Sequence, residues 1–91
     1  MDFEWDGAKA AGNLRKHGVD FAEAAGTFFD PLASVSLDEE HPVEEQRLTL
    51  LGRSRHGRLL FTVFTERGAR IRIISSRPAT RREVRGYEER V

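Results

Sequence analysis

The chain has 91 residues, with 15 lysines and arginines against 15 aspartates and glutamates, three histidines and no cysteine. That length supports one domain, residues 1–91, with a modest core, and the missing cysteines exclude a disulfide framework and a thiolate zinc site. The zero net charge conceals an asymmetry: residues 1–45 carry three bases and eleven acids, a net −8, whereas residues 46–91 carry twelve arginines and four glutamates, a net +8. Every base in the second half is arginine, whose planar fork pairs phosphate oxygens in bidentate fashion and stacks on bases.

The start, Met1 to Asp6, is acidic where a secretory signal is basic and then apolar, and no stretch approaches the length of a membrane span, so a soluble cytoplasmic protein is expected. His17, His41 and His56 share no metal-ligand spacing, and neither a metal nor another cofactor is expected.

Phe3-Glu4-Trp5 alternates as a short strand, after which Asp6 caps a helix from Gly7 to Lys16 that stops at Gly18. Asp20 and Glu23 have capping-box spacing, and Phe21, Ala24, Ala25 and Phe28 give a second helix its apolar stripe before Asp30-Pro31. Three segments of strand character follow: Ala33 to Leu37, Gln46 to Arg53 and Arg58 to Glu66, with an exposed charged loop through His41-Pro42 after the first. A fourth strand, Arg70 to Ser76, follows a tight turn at Glu66 to Ala69. Thr80 and Glu83 then form the T-x-x-E box of a last helix whose Val84, Tyr87 and Val91 share one side. The order reads as α+β, an antiparallel sheet packed with two N-terminal helices and one C-terminal helix.

The fourth strand carries the chemistry. Period two places Arg70 and Arg72 on one face and Ile71 and Ile73 on the other, with Ile74 falling on the arginine side, which implies a partly apolar groove or partner surface there. So many guanidinium groups repel one another unless they meet carboxylates of the acidic half, an acidic partner, or phosphates. On the first helix Lys9, Asn13 and Lys16 share a polar face suited to phosphate, with His17 at the end, where a cation also complements the helix dipole.

The stretches Phe3-Glu4-Trp5-Asp6, Asn13 to Phe21, Gly52-Arg53 and Thr65 to Ser75 resemble the BrnT family of small bacterial toxins, and Arg77, Ala79, Thr80, Arg81, Arg82, Glu83 and Tyr87 extend the match into the last helix. The resemblance covers nearly the whole chain. It implies a RelE-like fold and a ribonuclease toxin of a type II toxin–antitoxin pair. It also implies a BrnA-type antitoxin with a ribbon-helix-helix portion, a toxin–antitoxin heterotetramer, and operator DNA bound only through that complex. The chain departs from the family pattern at Ser76, where alanine is common, and at Pro78, where a second arginine is common, which removes one positive charge near the site.

Metal-free cleavage by a ribose 2′-hydroxyl needs a base, an acid and cations for the pentavalent phosphate. Arg77, Arg72 and Arg53 are the candidates for charge stabilisation. Glu66 is the candidate base, with a salt bridge to Arg67 or Arg70 as its alternative role. Lys16 and His17 are acid–base candidates if the first helix borders the arginine face. Lys9, Asn13, Arg58, Arg67, Arg70 and Arg81 are candidates for RNA contact. The competing reading is a module without turnover that binds an acidic partner, or operator DNA within a repressor complex.

Overall fold

The computed structural model describes residues 1–38 and 46–90. The charged loop through His41-Pro42 and the place of Val91 lie outside those residues. The elements run β1 (Asp2–Glu4), α1 (Gly7–His17), α2 (Phe21–Gly26), a 3₁₀ turn (Thr27–Phe29), β2 (Ser34–Leu37), β3 (Leu48–Arg53), β4 (Leu59–Arg67), β5 (Arg70–Pro78) and α3 (Arg81–Glu88). Local signals set the helix ends. Asp6 accepts from the Ala8 N–H at 3.3 Å, and Gly18, at φ +69°, closes α1 onto the Leu14 carbonyl. Asp20 accepts from the Glu23 N–H at 2.7 Å, but Glu23 does not complete the expected box, because its carboxylate is drawn to Arg58 and Ser54 instead. At α3 both halves of the Thr80–Glu83 box are present.

The sheet order is β1-β5-β4-β3-β2. Strands β2 to β5 form the expected antiparallel meander, whereas β1 pairs with β5 in parallel, so the sheet is mixed rather than wholly antiparallel. The cause is topological. The helices carry the chain across one face to the far edge, three hairpins return it, and the third return strand runs in the direction of β1.

β1 covers only Arg70 to Arg72 of β5, which leaves the later part of that strand without a backbone neighbour on one side. Asn13 fills the gap from α1. Its Nδ2 donates to the Ser76 carbonyl at 2.8 Å and to the Val19 carbonyl at 3.0 Å, and its Oδ1 accepts from the Ser76 N–H at 3.1 Å. One buried amide thus stands in for a strand at Ser76, and satisfies groups that would be costly to bury alone. Ser76 is itself buried, with its hydroxyl 2.9 Å from that of Thr62.

The core lies between the sheet and the first two helices, where Val19, Phe21, Ala24, Leu60 and Ile73 form one cluster with Phe3, Ala10 and Ala25 packed against it. Burying side chains such as Phe21 and Ile73 contributes roughly 1.5–3 kcal/mol each. Phe28 joins the turn to the sheet through edge contacts with Phe3 and Phe64 at 5.1 and 4.9 Å. Gly52 admits this arrangement: a Cβ there would stand 2.9 Å from the Thr27 carbonyl oxygen. Among the described residues no helix is long and apolar enough to cross a membrane.

Candidate functional site

Strict alternation along β5 would send Arg72 and Arg77, five residues apart, to opposite faces. A bulge prevents this. Ile73 pairs with Phe64 and Ser75 with Val63, which leaves Ile74 as the extra residue. Ile74 is therefore not a regular member of the arginine side, as alternation suggests, but the residue that shifts the phase of the strand. After it, Ser76 turns inward with Ile73, and Arg77 joins Arg70 and Arg72 on the face away from the core. Arg53 opposes Leu59 and shares that face through the register of β3 and β4.

Each arginine on the face has a built environment. The Arg77 guanidinium lies 4.3 Å over the Phe61 ring and grips Glu83 in bidentate fashion, Nη1 to Oε1 at 2.9 Å and Nη2 to Oε2 at 3.0 Å. Glu83 Oε1 also accepts the Thr80 N–H at 2.8 Å, so the box that starts α3 fixes the carboxylate that holds Arg77. Burial alone would raise the Glu83 carboxyl, but the Arg77 hydrogen bond and the Thr80 N–H outweigh it and hold it below its ordinary value of 4.5.

Arg72 donates to Glu4 at 2.8 Å, and Arg70 stands 3.6 Å from the other oxygen of the same carboxylate. The hydrogen bond from Arg72 keeps Glu4 below its ordinary value. Arg53 lies 5.4 Å over the Tyr87 ring of α3 and donates to the Gly57 carbonyl. Asp30 accepts from both the Arg53 N–H and the Tyr87 hydroxyl. Its burial opposes ionisation, yet these bonds hold the carboxyl below 3.8, and the one from Tyr87 raises the phenol above 10.0. The face therefore has an aromatic floor, fixed guanidinium groups and α3 as its wall, an arrangement that can bind anions by charge and flat rings by stacking.

The other residues expected at a site fall elsewhere. Asn13 is buried, and its amide is used by β5 and Val19. Arg58 turns to α2: Nε and Nη2 bind Glu23 at 3.0 and 2.6 Å, and Nη2 also reaches the Gly18 carbonyl. Glu66 opposes Ile71, so it projects on the core side of the sheet and not beside Arg72 or Arg77. α1 packs through Ala10 and Asn13 against that same core side, so Lys9, Lys16 and His17 do not border the arginine face. Arg67 opposes Arg70 at the hairpin, and Arg81 is exposed in the first turn of α3. Sequence reasoning missed Phe61 and Glu4 as partners of the site and read Glu83 only as a cap. The signal for Glu83 was its place six residues after Arg77, within reach of a helix that starts between them.

By fold and surface this is a class of small α+β protein with a charged face on an aromatic floor, able to hold anions. Within that class, a family model described as the ribonuclease toxin BrnT of type II toxin–antitoxin systems matches residues 5–83, and the chain belongs to that family. In fold it is similar to the crystal structure of the Brucella abortus ribonuclease toxin BrnT, with a TM-score of 0.64 and 26% identity over 89% of this chain and 99% of that one. No curated protein matches the chain. Membership makes it a ribonuclease toxin, with RNA as substrate class and an antitoxin as partner.

Proposed function

We propose that the chain cleaves RNA at the arginine face without a metal ion, by attack of a ribose 2′-oxygen on its adjacent phosphorus. The 2′-O–P bond forms as the P–O5′ bond breaks, giving a 2′,3′-cyclic phosphate and a 5′-hydroxyl. The 2′-proton leaves to a base and another proton reaches O5′. Arg77 is the principal cation for the pentavalent phosphate, with Arg72 beside it on β5 and Arg53 further along the face; Arg70, Arg67 and Arg81 lie at its rim. The observation that carries this reading is Arg77 itself, stacked on Phe61 and fixed in orientation by Glu83, because fixed cations aimed at developing charge need no reorganisation in the transition state. Glu83 and Glu4 are held ionised by their arginines, which suits them to orient guanidinium groups rather than to take up protons.

In this reading the toxin acts in the cytoplasm, and its RNA cleavage stops translation and growth. A BrnA-type antitoxin neutralises it in a heterotetramer that binds operator DNA through the antitoxin's ribbon-helix-helix portion. The meander flanked by helices supports a RelE-like description of the fold. A second reading, a binding module for an acidic partner, is favoured by the carboxylates that already occupy Arg72 and Arg77.

Purified chain incubated with RNA in EDTA, without ribosomes, separates the two. Cleavage is expected to survive the chelator and to fall about 10²- to 10³-fold in Arg77→Ala, the loss typical of one charge-stabilising donor. A variant that cuts as fast as the wild type removes Arg77 from the site. Absence of cleavage in any form, with no growth arrest on expression, leaves the binding module.

A further inference from the structure

α3 carries cations where a helix is least hospitable to them. Arg81 and Arg82 are its first two residues, next to the positive end of the helix dipole, where carboxylates are favoured. Arg81 and Arg85 are one turn apart, a spacing at which like charges repel. All three are exposed, and among the described residues none of them forms an ion pair. Arg85, in the last turn, suits the dipole and is the exception. The nearby carboxylate of Glu83 is consumed by Arg77 and the Thr80 N–H. Arg81 and Arg85 also line an open groove of about 310 Å³ with Ala79, Val84 and Glu88. Arg81 and Arg82 offer no return in stability at that end of the helix, and the groove begins two residues beyond Arg77 in the chain.

We infer that the outer surface of α3 is a phosphate track that holds the single-stranded RNA flanking the scissile bond, with Arg81, Arg82 and Arg85 on successive phosphates and Ala79 and Val84 as an apolar floor for the sugars. The occupant follows from charge complementarity: among the described residues three guanidinium groups without ion pairs, Arg81 and Arg85 one turn apart along the groove and Arg82 beside them on the helix, match the repeated charge of a nucleic-acid backbone rather than a single anion. The inference rests on the ribonuclease reading and extends it from the reacting phosphate to its neighbours. The track makes affinity depend on substrate length, since a short oligonucleotide centred at Arg77 meets fewer of its cations than one that runs on along the helix.

The test uses 2′-O-methyl oligoribonucleotides of four and twelve residues, which lack the attacking hydroxyl, bound to the wild type and to Arg81→Gln/Arg82→Gln/Arg85→Gln over a range of salt. For the 12-mer the slope of log affinity against log salt is expected to become shallower by about 2, the loss of three single-strand phosphate contacts at ~0.7 each. The 4-mer slope is expected to change less than the 12-mer slope. The variant should melt close to the wild type, because removing Arg81 and Arg82 from the positive end of the helix offsets the loss of Arg85 from its negative end. Replacement of the same three residues by lysine should restore the slope, since a phosphate track needs point charge more than a fork. An unchanged 12-mer slope, or an equal loss for both lengths, overturns the track while leaving the Arg77 result intact. Failure of both oligonucleotides to bind the wild type overturns the track and the ribonuclease reading together.

Discussion

Two glutamates occupy the same position in two helices and do different work. Glu23 and Glu83 each stand three residues after a capping side chain, and each holds an arginine through two hydrogen bonds. Glu23 abandons its own helix end to do so. It lies deep, with a side chain 6% exposed, and takes a third bond from the Ser54 hydroxyl, so it ties α2 to the turn before β4 and through Arg58 to the end of α1. Glu83 stays in its capping box, is 23% exposed, and presents Arg77 on the open face over an aromatic ring. The same pairing is a structural tie when sealed between elements and a positioning device when left at a surface. What separates them is where the arginine begins: before β4 for Arg58, near the end of β5 after the bulge for Arg77.

The largest effect is expected at Glu23. Removal by Glu23→Ala strands Ser54 and the Arg58 guanidinium and is expected to lower stability by about 2–4 kcal/mol, less than for a fully buried pair because Arg58 keeps some water. In a chain of this size that is roughly 10–20 °C in melting temperature. Cleavage per folded molecule should be unchanged; a loss of cleavage at normal stability would place Glu23 in the site.

Glu83→Ala should do the reverse. It removes half of a capping box and a partly exposed ion pair, an expected loss of about 1 kcal/mol. Freeing Arg77 from its fixed orientation should lower kcat about tenfold with KM little changed, because the interaction lost is one made in the transition state. A change confined to KM would make Glu83 a feature of substrate binding alone.

Acid is the mildest probe. The hydrogen bonds from Arg58 hold Glu23 below its ordinary 4.5, with Ser54 adding to them against burial, and Glu83, Glu4 and Asp30 are held below their ordinary values as well. A depressed carboxyl contributes stability that is whole above its unfolded value and is lost as the pH falls through its folded one. Urea midpoints measured from about pH 7 down to about pH 3 should therefore be flat at first and fall on the acid side of 4.5. Glu23→Gln should flatten that fall more than Glu83→Gln. An equal effect of the two would mean that depth does not distinguish the pairs.

What could be read from the sequence is what local chemistry decides. The capped helix starts, the glycine stop at Gly18 and the hairpin at Gly68 follow from neighbours a few positions apart, and the structure has them within a residue or two. The arginine face was legible as charge density on β5, but its membership was not. Whether Arg77 shares a face with Arg72 depends on a bulge, and an Ile73-Ile74 pair reads the same with or without one. Glu66 lies on the core side because it alternates with Phe64 along β4, and a strand apolar on both faces does not show in its sequence which face is the core. Asn13 has the helical spacing of an exposed polar residue, and only the shortness of β1 at the other side of β5 makes it a core residue. Lys16 and His17 were tied to a helix whose packing face is a tertiary property.

Glu4 waits for Arg72. The two are 68 positions apart, and every hairpin of the meander lies between them. Closure over so long a span is expected late in folding, because the chain entropy must be given up before the contact returns anything. While the polypeptide is still being made, β1 has no mate and the arginine side of β5 does not exist. A chain that stops before residue 72 can close neither the outer strand pair nor the Glu4 clamp. The order of synthesis thus delays the assembly of the toxin's charged face until β5 has been made.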